Sequence, residues 1–401
     1  MLLAYFAYVP YLSNVDNHEY SCSNVAIKVN AKMSNHWNKA HAWTIFQKPL
    51  NGAGAGITWV QEVPTLVMGL SISNSLGQED AISVICASAA LDESCMRLAQ
   101  DVRVCSKTET VDGAILISLV ESLLSQYFLH NKIVPKRILV YRAGVSEGAF
   151  TKFRIDEIQS IREGYRSFVR RGNEGVDPSC LKNCKFGCVF CCPPVTFVAC
   201  MTRNSVKIVP SNANEGVGTK QKNVHSGTCV DSKIIDSVDN LSLGQVDGNE
   251  APAQLYSEPG GRGYDFLLIA HGSGKGTSKP VHYRMILNEN AAHVPAHVRG
   301  VGGSMLTKEK LELATYAMSF QYSTATKAVR LVPVLYYSTR CAETVLKYIR
   351  YLQRDDIVEK GLDEYDIARD GVSRARLAFI RKEVQVSLYH LPLNILSGMF
   401  L

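Results

Sequence analysis

The stretch from Ala81 to Ala90, AISVICASAA, is apolar or small at nearly every position, and it restricts the fold more than any other segment. A strand with one wet face alternates apolar and polar residues. A continuous apolar run of strand length has both faces covered and sits inside a sheet. The run therefore predicts an α/β protein, and the flanking sequence supplies its other parts. Thr65 to Ser73 reads as a strand before it and Met96 to Cys105 as one after it. Asp112 to Asn131 places Ile115, Leu119, Leu123 and Phe128 at helical spacing, with Pro135 closing the helix. Ile138 to Arg142 is a fourth strand, running through a turn into a helix expected from about Glu147 to Phe168. Val195 to Cys200, Cys229 to Ile235 and Phe266 to Ala270 read as further strands. Leu306 to Ser319 and Cys341 to Gln353 read as helices, with the apolar run Val329 to Tyr337 between them.

Strand–strand–strand–helix–strand–helix–strand is the order of an RNase H-like fold, a mixed central sheet flanked by helices. At 401 residues, 46% hydrophobic and 20% charged, the chain holds one large domain or two smaller ones, each with its own core. A net charge of +6 fits a nucleic-acid or phosphate partner without demanding one, because any basic patch is local. The opening MLLAYFAYVPYL has no basic leader and no small-residue cleavage site. It reads as a buried strand or helix and not as a signal peptide or membrane span. No other apolar run reaches membrane length, so no membrane partner is expected. Twelve cysteines without a secretory signal point to reduced thiols in the cytoplasm or nucleus. Residues 173–194, rich in cysteine, and 237–263, rich in Asn, Gly, Ser and Pro, read as insertions.

Seven ordered blocks carry a resemblance: PTLVMGLSIS, KRILVYRAGVSEGAF, VTFVACMTRNSVK, GTCVDSKII, DFLLIAHGSGKGTSKPVHYRMIL, LATYAMSFQYSTATKAV and VPVLYYSTR. In these the chain resembles the Argonaute/Piwi family. SNVAIKVNAK, Ser23 to Lys32, looks like the end of that family's MID domain. The resemblance implies a partial MID-like segment over 1–60 and a PIWI domain of RNase H-like fold over 61–401, without the family's N-terminal and PAZ domains. It implies a small-RNA-guided silencing protein whose partners are a guide RNA, a target RNA and silencing effector proteins.

RNase H-type cleavage uses two divalent ions clamped about 4 Å apart, and magnesium is held through carboxylates. The family supplies these from the first strand, the YRD turn, a loop before the first long helix, and a His or Asp after a YY dipeptide. Matched block to block, the places fall on Ser71, Ala143, Val111 and Thr339. Where the family writes YRDGVSEGQF, this chain writes YRAGVSEGAF, with a methyl group in place of the aspartate. Glu109 and Asp112 flank the third place, and one acid does not build a two-metal site. The expectation is a non-slicing protein with no magnesium cofactor. Two alternatives stay open: an active RNase H-type guide-directed endonuclease using realigned acids such as Asp112 and Glu147, and a non-functional fragment.

Lys28 and Lys32 stand four apart, on one face of a helix, where like charges repel until an anion binds. The resemblance places them on the 5′ phosphate of the guide, against a bland reading as solvated surface lysines. Its further arginine falls on Thr344, with Lys347 one turn on as a substitute. Arg203 and Lys207 follow a strand where the family contacts guide phosphates, and Tyr336 matches a tyrosine touching guide backbone; by composition alone it reads as core. His271, Lys275 and Lys279 lie in AHGSGKGTSKP, a Gly-rich turn whose backbone can approach a phosphodiester. A P-loop is excluded, because Gly276 follows Lys275 and Ile269 stands where the earlier glycine belongs. In SCLKNCKFGCVFCC, Cys184, Cys188 and Cys191 have the C-x3-C-x2-C spacing of a radical S-adenosylmethionine iron–sulfur loop. The surrounding order does not fit a (β/α) barrel. A small zinc site drawing on Cys180, Cys184, Cys188 and Cys191, or a bland insertion, are the other readings.

Overall fold

The computed structural model describes residues 57–352 and 372–389. Breaks within the first span fall at 75–81, 107, 109, 145–155, 172–191, 213–215, 218–221, 233, 236–263, 273–275, 292–302, 323–324 and 326. Its elements are α1 (Thr58–Gln61), β1 (Thr65–Asn74), β2 (Ile82–Ala90), β3 (Leu98–Ser106), α2 (Gly113–Asn131), β4 (Arg137–Ala143) and α3 (Ile158–Arg170). There follow β5 (Val195–Met201), β6 (Thr228–Val230), β7 (Asp265–Ile269), β8 (Val281–Asn288), α4 (Lys308–Met318), α5 (Pro333–Leu352) and α6 (Val372–Tyr389). One eight-stranded sheet runs in the order β3-β2-β1-β4-β5-β8-β7-β6. This is the mixed, helix-flanked sheet expected from the sequence.

Every residue of β2 is buried, as its apolar run requires, and it pairs antiparallel with β1 and β3. Leu66, Met68 and Leu70 of β1, with Ile138 and Val140 of β4, face α2 and α3. The alternate residues Val67, Leu139 and Tyr141 face α4 and the first turn of α5. A third cluster joins β2 and β3 to the rest of α5 and to α6. Asp112 caps α2 by accepting from Ala114 N at 2.9 Å. The helix closes on Lys132, left-handed at φ 59°, before Pro135 is reached. Among the described helices, α2 is long and apolar enough to cross a membrane, unlike the sequence expectation. Its apolar side chains, Leu116, Leu119, Leu123 and Leu124 among them, are buried in the core facing the sheet.

Two sequence readings change. The run Val329 to Tyr337 is not a separate segment, since α5 begins at Pro333, a residue suited to the first helical turn. Buried Val334, Leu335, Ser338, Cys341, Ala342 and Val345 continue one stripe through it. Of the helix read from about Glu147 to Phe168, the described part is Ile158–Arg170, preceded by a widened turn at 156–157, and residues 145–155 lie outside the described ones. β8 and α6 were not anticipated as elements.

The strand read over Cys229 to Ile235 is only Thr228–Val230, paired with β7 at three positions. Beyond it the chain turns toward α4, where Lys308 Nζ meets Asp231 Oδ2 at 3.0 Å and the Asp231 carbonyl at 2.7 Å. Glu312 lies beside this pair. Its carboxyl is pushed up to about 7, by burial first and by the Asp231 charge second. A carboxyl raised in the folded state binds more protons folded than unfolded between its two values. Stability therefore falls as pH rises from about 4.5 to about 7 and is level above that. Glu312→Gln is expected to flatten this slope and to raise the melting temperature at pH 7.5, read from thermal melts across pH 4.5 to 8.

Candidate functional site

β1, β4 and β5 run parallel, β8 runs against β5, and β7 runs against β8. The carboxyl ends of β1, β4, β5 and β7 therefore share one edge of the sheet, where ligands collect in open α/β sheets. Ala143, Arg203 and His271 lie at or just past those ends, and Ser71 lies near the end of β1, which runs to Asn74. The β1–β4 register, last paired at Leu70 and Arg142, brings Ser71 and Ala143 side by side as the next pair. Ala143 belongs to the core on the α4/α5 side, and alternation from Val67 puts Ser71 there too. α5 is pressed onto the same strands. A methyl group on Gly69 would lie 2.4 Å from the Val334 carbonyl oxygen, and the Ser88 hydroxyl donates to that oxygen.

Arg142, between these positions, points the other way and is buried with Glu157, both fully inaccessible. Its Nε reaches Glu157 Oε2 at 3.0 Å and its Nη2 reaches Oε1 at 3.0 Å. Glu157 Oε1 also accepts the Val111 N–H at 3.3 Å. Val111 packs in the core on the α2/α3 face, so its side chain does not converge with Ala143. The Thr339 hydroxyl donates to the Leu335 carbonyl at 2.9 Å, along its own helix. Asp112, the acid that a one-residue slip would recruit, is engaged as the α2 cap. Glu109 and Glu147 lie outside the described residues.

These groups do not fit a two-metal centre. Two buried neutral side chains, an isopropyl on the opposite face and a hydroxyl tied to its own helix offer no carboxylate oxygen. Among the described residues, no three His, Cys, Asp or Glu side chains are placed to share a metal.

The basic side chains on the same edge are gathered by a residue that the sequence did not single out. Arg330 Nη2 donates to the Thr202 carbonyl at 2.8 Å and to the Pro280 carbonyl at 3.3 Å. That ties the segment after β5, carrying exposed Arg203 and Lys207, to the turn before β8, carrying exposed Lys279. Asn204 repeats the tie, donating to Met201 and Pro280 carbonyls. Buried Asn223 braces the Gly-rich turn by donating to the Gly276 carbonyl and accepting from Ser278 N, both at 2.9 Å. Gly276 is left-handed at φ 80°, and nothing lies within 4 Å of where its Cβ would stand, so the turn is open to an approaching ligand. Half-buried His271 sits near Arg330. Burial first and the Arg330 charge second hold its imidazole below the usual range, so it is neutral at neutral pH and meets an anion only as a hydrogen-bonding group. Lys275 lies outside the described residues, as do Lys28 and Lys32.

On α5, Tyr336 is half-buried, its ring edge-on to Tyr322 at 4.7 Å. Lys347 is exposed further along the helix, and the Thr344 hydroxyl donates to the Arg340 carbonyl at 2.9 Å. Of the cysteine run, Cys192 alone is described. It packs in the core, its thiol is directed at the Arg162 carbonyl, and burial pushes that thiol up to about 11, which makes it inert. Cys180, Cys184, Cys188 and Cys191 lie outside the described residues.

The sequence matches the Piwi domain family over residues 8–241 and 261–350. It is 26% identical over 381 residues to Protein argonaute 12 of Oryza sativa subsp. japonica, covering 92% of this chain and 30% of that protein. It is 25% identical over 321 residues to Putative protein tag-76 of Caenorhabditis elegans, covering 79% of this chain and 24% of that protein. The chain thus spans about a quarter to a third of the length of these relatives. In fold, it is similar to the C-terminal lobe of a budding yeast Argonaute, with a TM-score of 0.60 at 21% identity over 88% of this chain and 57% of that one. It is also similar to Kluyveromyces polysporus Argonaute with a guide RNA, with a TM-score of 0.57 at 20% identity over 82% and 31%.

Proposed function

The chain belongs to the Piwi domain family, and from that premise we propose that it is a guide-RNA-binding silencing protein that presents its guide to a target RNA without cutting. The observation that carries this reading is the composition of one sheet edge. Ser71, near the end of β1, and Ala143, the last residue of β4, are neutral, buried groups on adjacent parallel strands, while the neighbouring strand ends present Arg203, Lys207 and Lys279 to solvent. Such an edge suits a polyanion, and among the described residues it offers no carboxylate for a hydrolytic centre. Lysine and arginine contacts to phosphates read charge and shape, so sequence choice falls to base pairing with the guide. Silencing then depends on effector proteins recruited to the complex. The proposed site of action is the cytoplasm or nucleus, in keeping with reduced thiols such as buried Cys86, Cys95 and Cys200.

Two measurements test the reading. RNA co-purifying with the protein is expected to be short with a uniform 5′ end; its absence, with no binding of short 5′-phosphorylated RNA by the purified chain, removes the proposal. Binding is also expected to weaken steeply with salt, and Arg203→Ala and Lys279→Ala each to reduce the slope of log K against log salt by about 0.7.

A further inference from the structure

Several arginines at the surface of this fold find carboxylates. Arg103 pairs with Asp101, Arg170 with Glu163, Arg171 with Glu121 and Arg284 with Asp265. Arg340 does not. It is exposed on α5, and its Nη1 donates to the Tyr322 hydroxyl at 2.8 Å. Its guanidinium carbon lies 5.8 Å from the centre of the Tyr336 ring. Tyr322 in turn stacks on buried Tyr337 at 4.9 Å, so the platform under the guanidinium is rooted in the core. Exposed Glu343, one turn on, makes no ion pair with it. Among the described residues Arg340 has no carboxylate partner.

A guanidinium held by a phenol and a ring face keeps its charge, loses rotamer freedom, and leaves its remaining N–H donors for an outside acceptor. Its position selects the acceptor. Arg340 follows Thr339, the uncharged residue at the last of the four degenerate places, and lies one turn from Tyr336 and two from Lys347 on the same helix face. An aromatic ring followed by two cations along one ridge suits a nucleic acid, which offers both stackable bases and anionic phosphates. An acidic peptide uses the cations and leaves the ring idle.

We propose that Arg340, braced by Tyr322 and Tyr336, is a phosphodiester-binding residue of this chain, placing a fixed cation next to Thr339 to grip bound RNA. The proposal rests on the RNA-binding reading above and deepens it. Among the described residues no carboxylate pairs with Arg340, so its guanidinium attracts a phosphate without competition from an acid.

The test is the salt dependence of binding of a fluorescent, 5′-phosphorylated single-stranded RNA to the purified full chain, for wild type, Arg340→Ala, Arg340→Gln and Arg340→Lys. Loss of one phosphate contact is expected to lower the slope by about 0.7, so that the wild-type advantage over Arg340→Ala shrinks roughly threefold between about 50 and 200 mM salt. Arg340→Gln, which keeps a donor for Tyr322 without the charge, is expected to follow Arg340→Ala, and Arg340→Lys to follow wild type. A purely structural part for Arg340 moves melting temperature and leaves the slope alone. Wild-type slopes in Arg340→Ala and Arg340→Gln, with Arg203→Ala still lowering the slope, overturn this proposal while the RNA-binding reading stands. Binding of an acidic peptide, and not of RNA, at Arg340 overturns it as well. A wild-type chain that binds no RNA takes both readings down together.

Discussion

Glu157→Gln is expected to destabilise the protein by about 3–5 kcal/mol, the range for breaking one side of a buried ion pair. The cost comes from what remains. Arg142 is fully inaccessible, and both its Nε and its Nη2 are aimed at the Glu157 carboxylate. With an amide in place of the carboxylate, the guanidinium charge stays inside the core without its counter-charge. The Val111 N–H, which Glu157 also accepts, comes to depend on the amide's single oxygen. Replacing both partners by apolar residues of similar volume is expected to restore most of the loss, since an intact buried pair contributes little net stability. Urea denaturation of the single variant and of Arg142→Met with Glu157→Leu measures both. A loss under about 1 kcal/mol for the single change, or a double variant as unstable as the single, contradicts the assignment. This pair ties the end of β4 to the start of α3, and through Val111 to the entry of α2.

What the sequence could reveal divides along the range of the interactions. β2 was legible because its signal lies wholly within ten residues, and β1, β3, β4 and β5 followed from similar local runs. β8 was legible too and passed over: Val281, Tyr283 and Met285 alternate with half-buried His282, Arg284 and Ile286, the period of a strand with one covered face. Pro333 marked the start of α5, but the apolar run around it concealed the helical period behind an unbroken hydrophobic stretch. The site divides the same way. The neutral Ala143 could be read from its own junction, and so could the basic residues of the Gly-rich turn. Arg330 could not, because its partner Thr202 is 128 positions away, and nothing local distinguishes it from a solvated arginine. Asn223 and Ser278, 55 apart, present the same difficulty. Glu157 looked like an ordinary helix residue, and only the fold shows it closed over Arg142. Long-range polar contacts leave no periodicity, which is the reason those residues emerged from the structure alone.

Adding magnesium is expected to leave a matched target RNA uncut and the melting temperature of the wild-type chain unchanged, and Ala143→Asp alone is expected to alter neither result. Ala143 is only 8% exposed, and the one cation next to it in sequence, Arg142, faces the other side of the sheet and is engaged by Glu157. A single new carboxylate there is buried without a partner and lowers stability by more than the roughly 1–3 kcal/mol of an unpaired neutral polar group. The smallest informative restoration is Ser71→Asp with Ala143→Asp. The register places these positions side by side on the parallel strands β1 and β4, so two carboxylates lie next to one another. Without a divalent ion the like charges repel. With one, binding to the folded state alone raises stability by RT ln(1 + [L]/Kd). The double variant is therefore expected to melt well below wild type in chelator and to recover as magnesium is added, while wild type shows no such dependence. Cleavage is still expected to be absent from the double variant, because a second ion needs further carboxylate ligands and neither Val111 nor Thr339 supplies one. Magnesium-dependent cutting by the wild-type chain, abolished by Asp112→Asn with Glu147→Gln, would show instead that realigned acids do the chemistry. In that case Asp112 would serve twice, its Oδ1 accepting the two N–H groups at the start of α2 and its Oδ2 holding the ion.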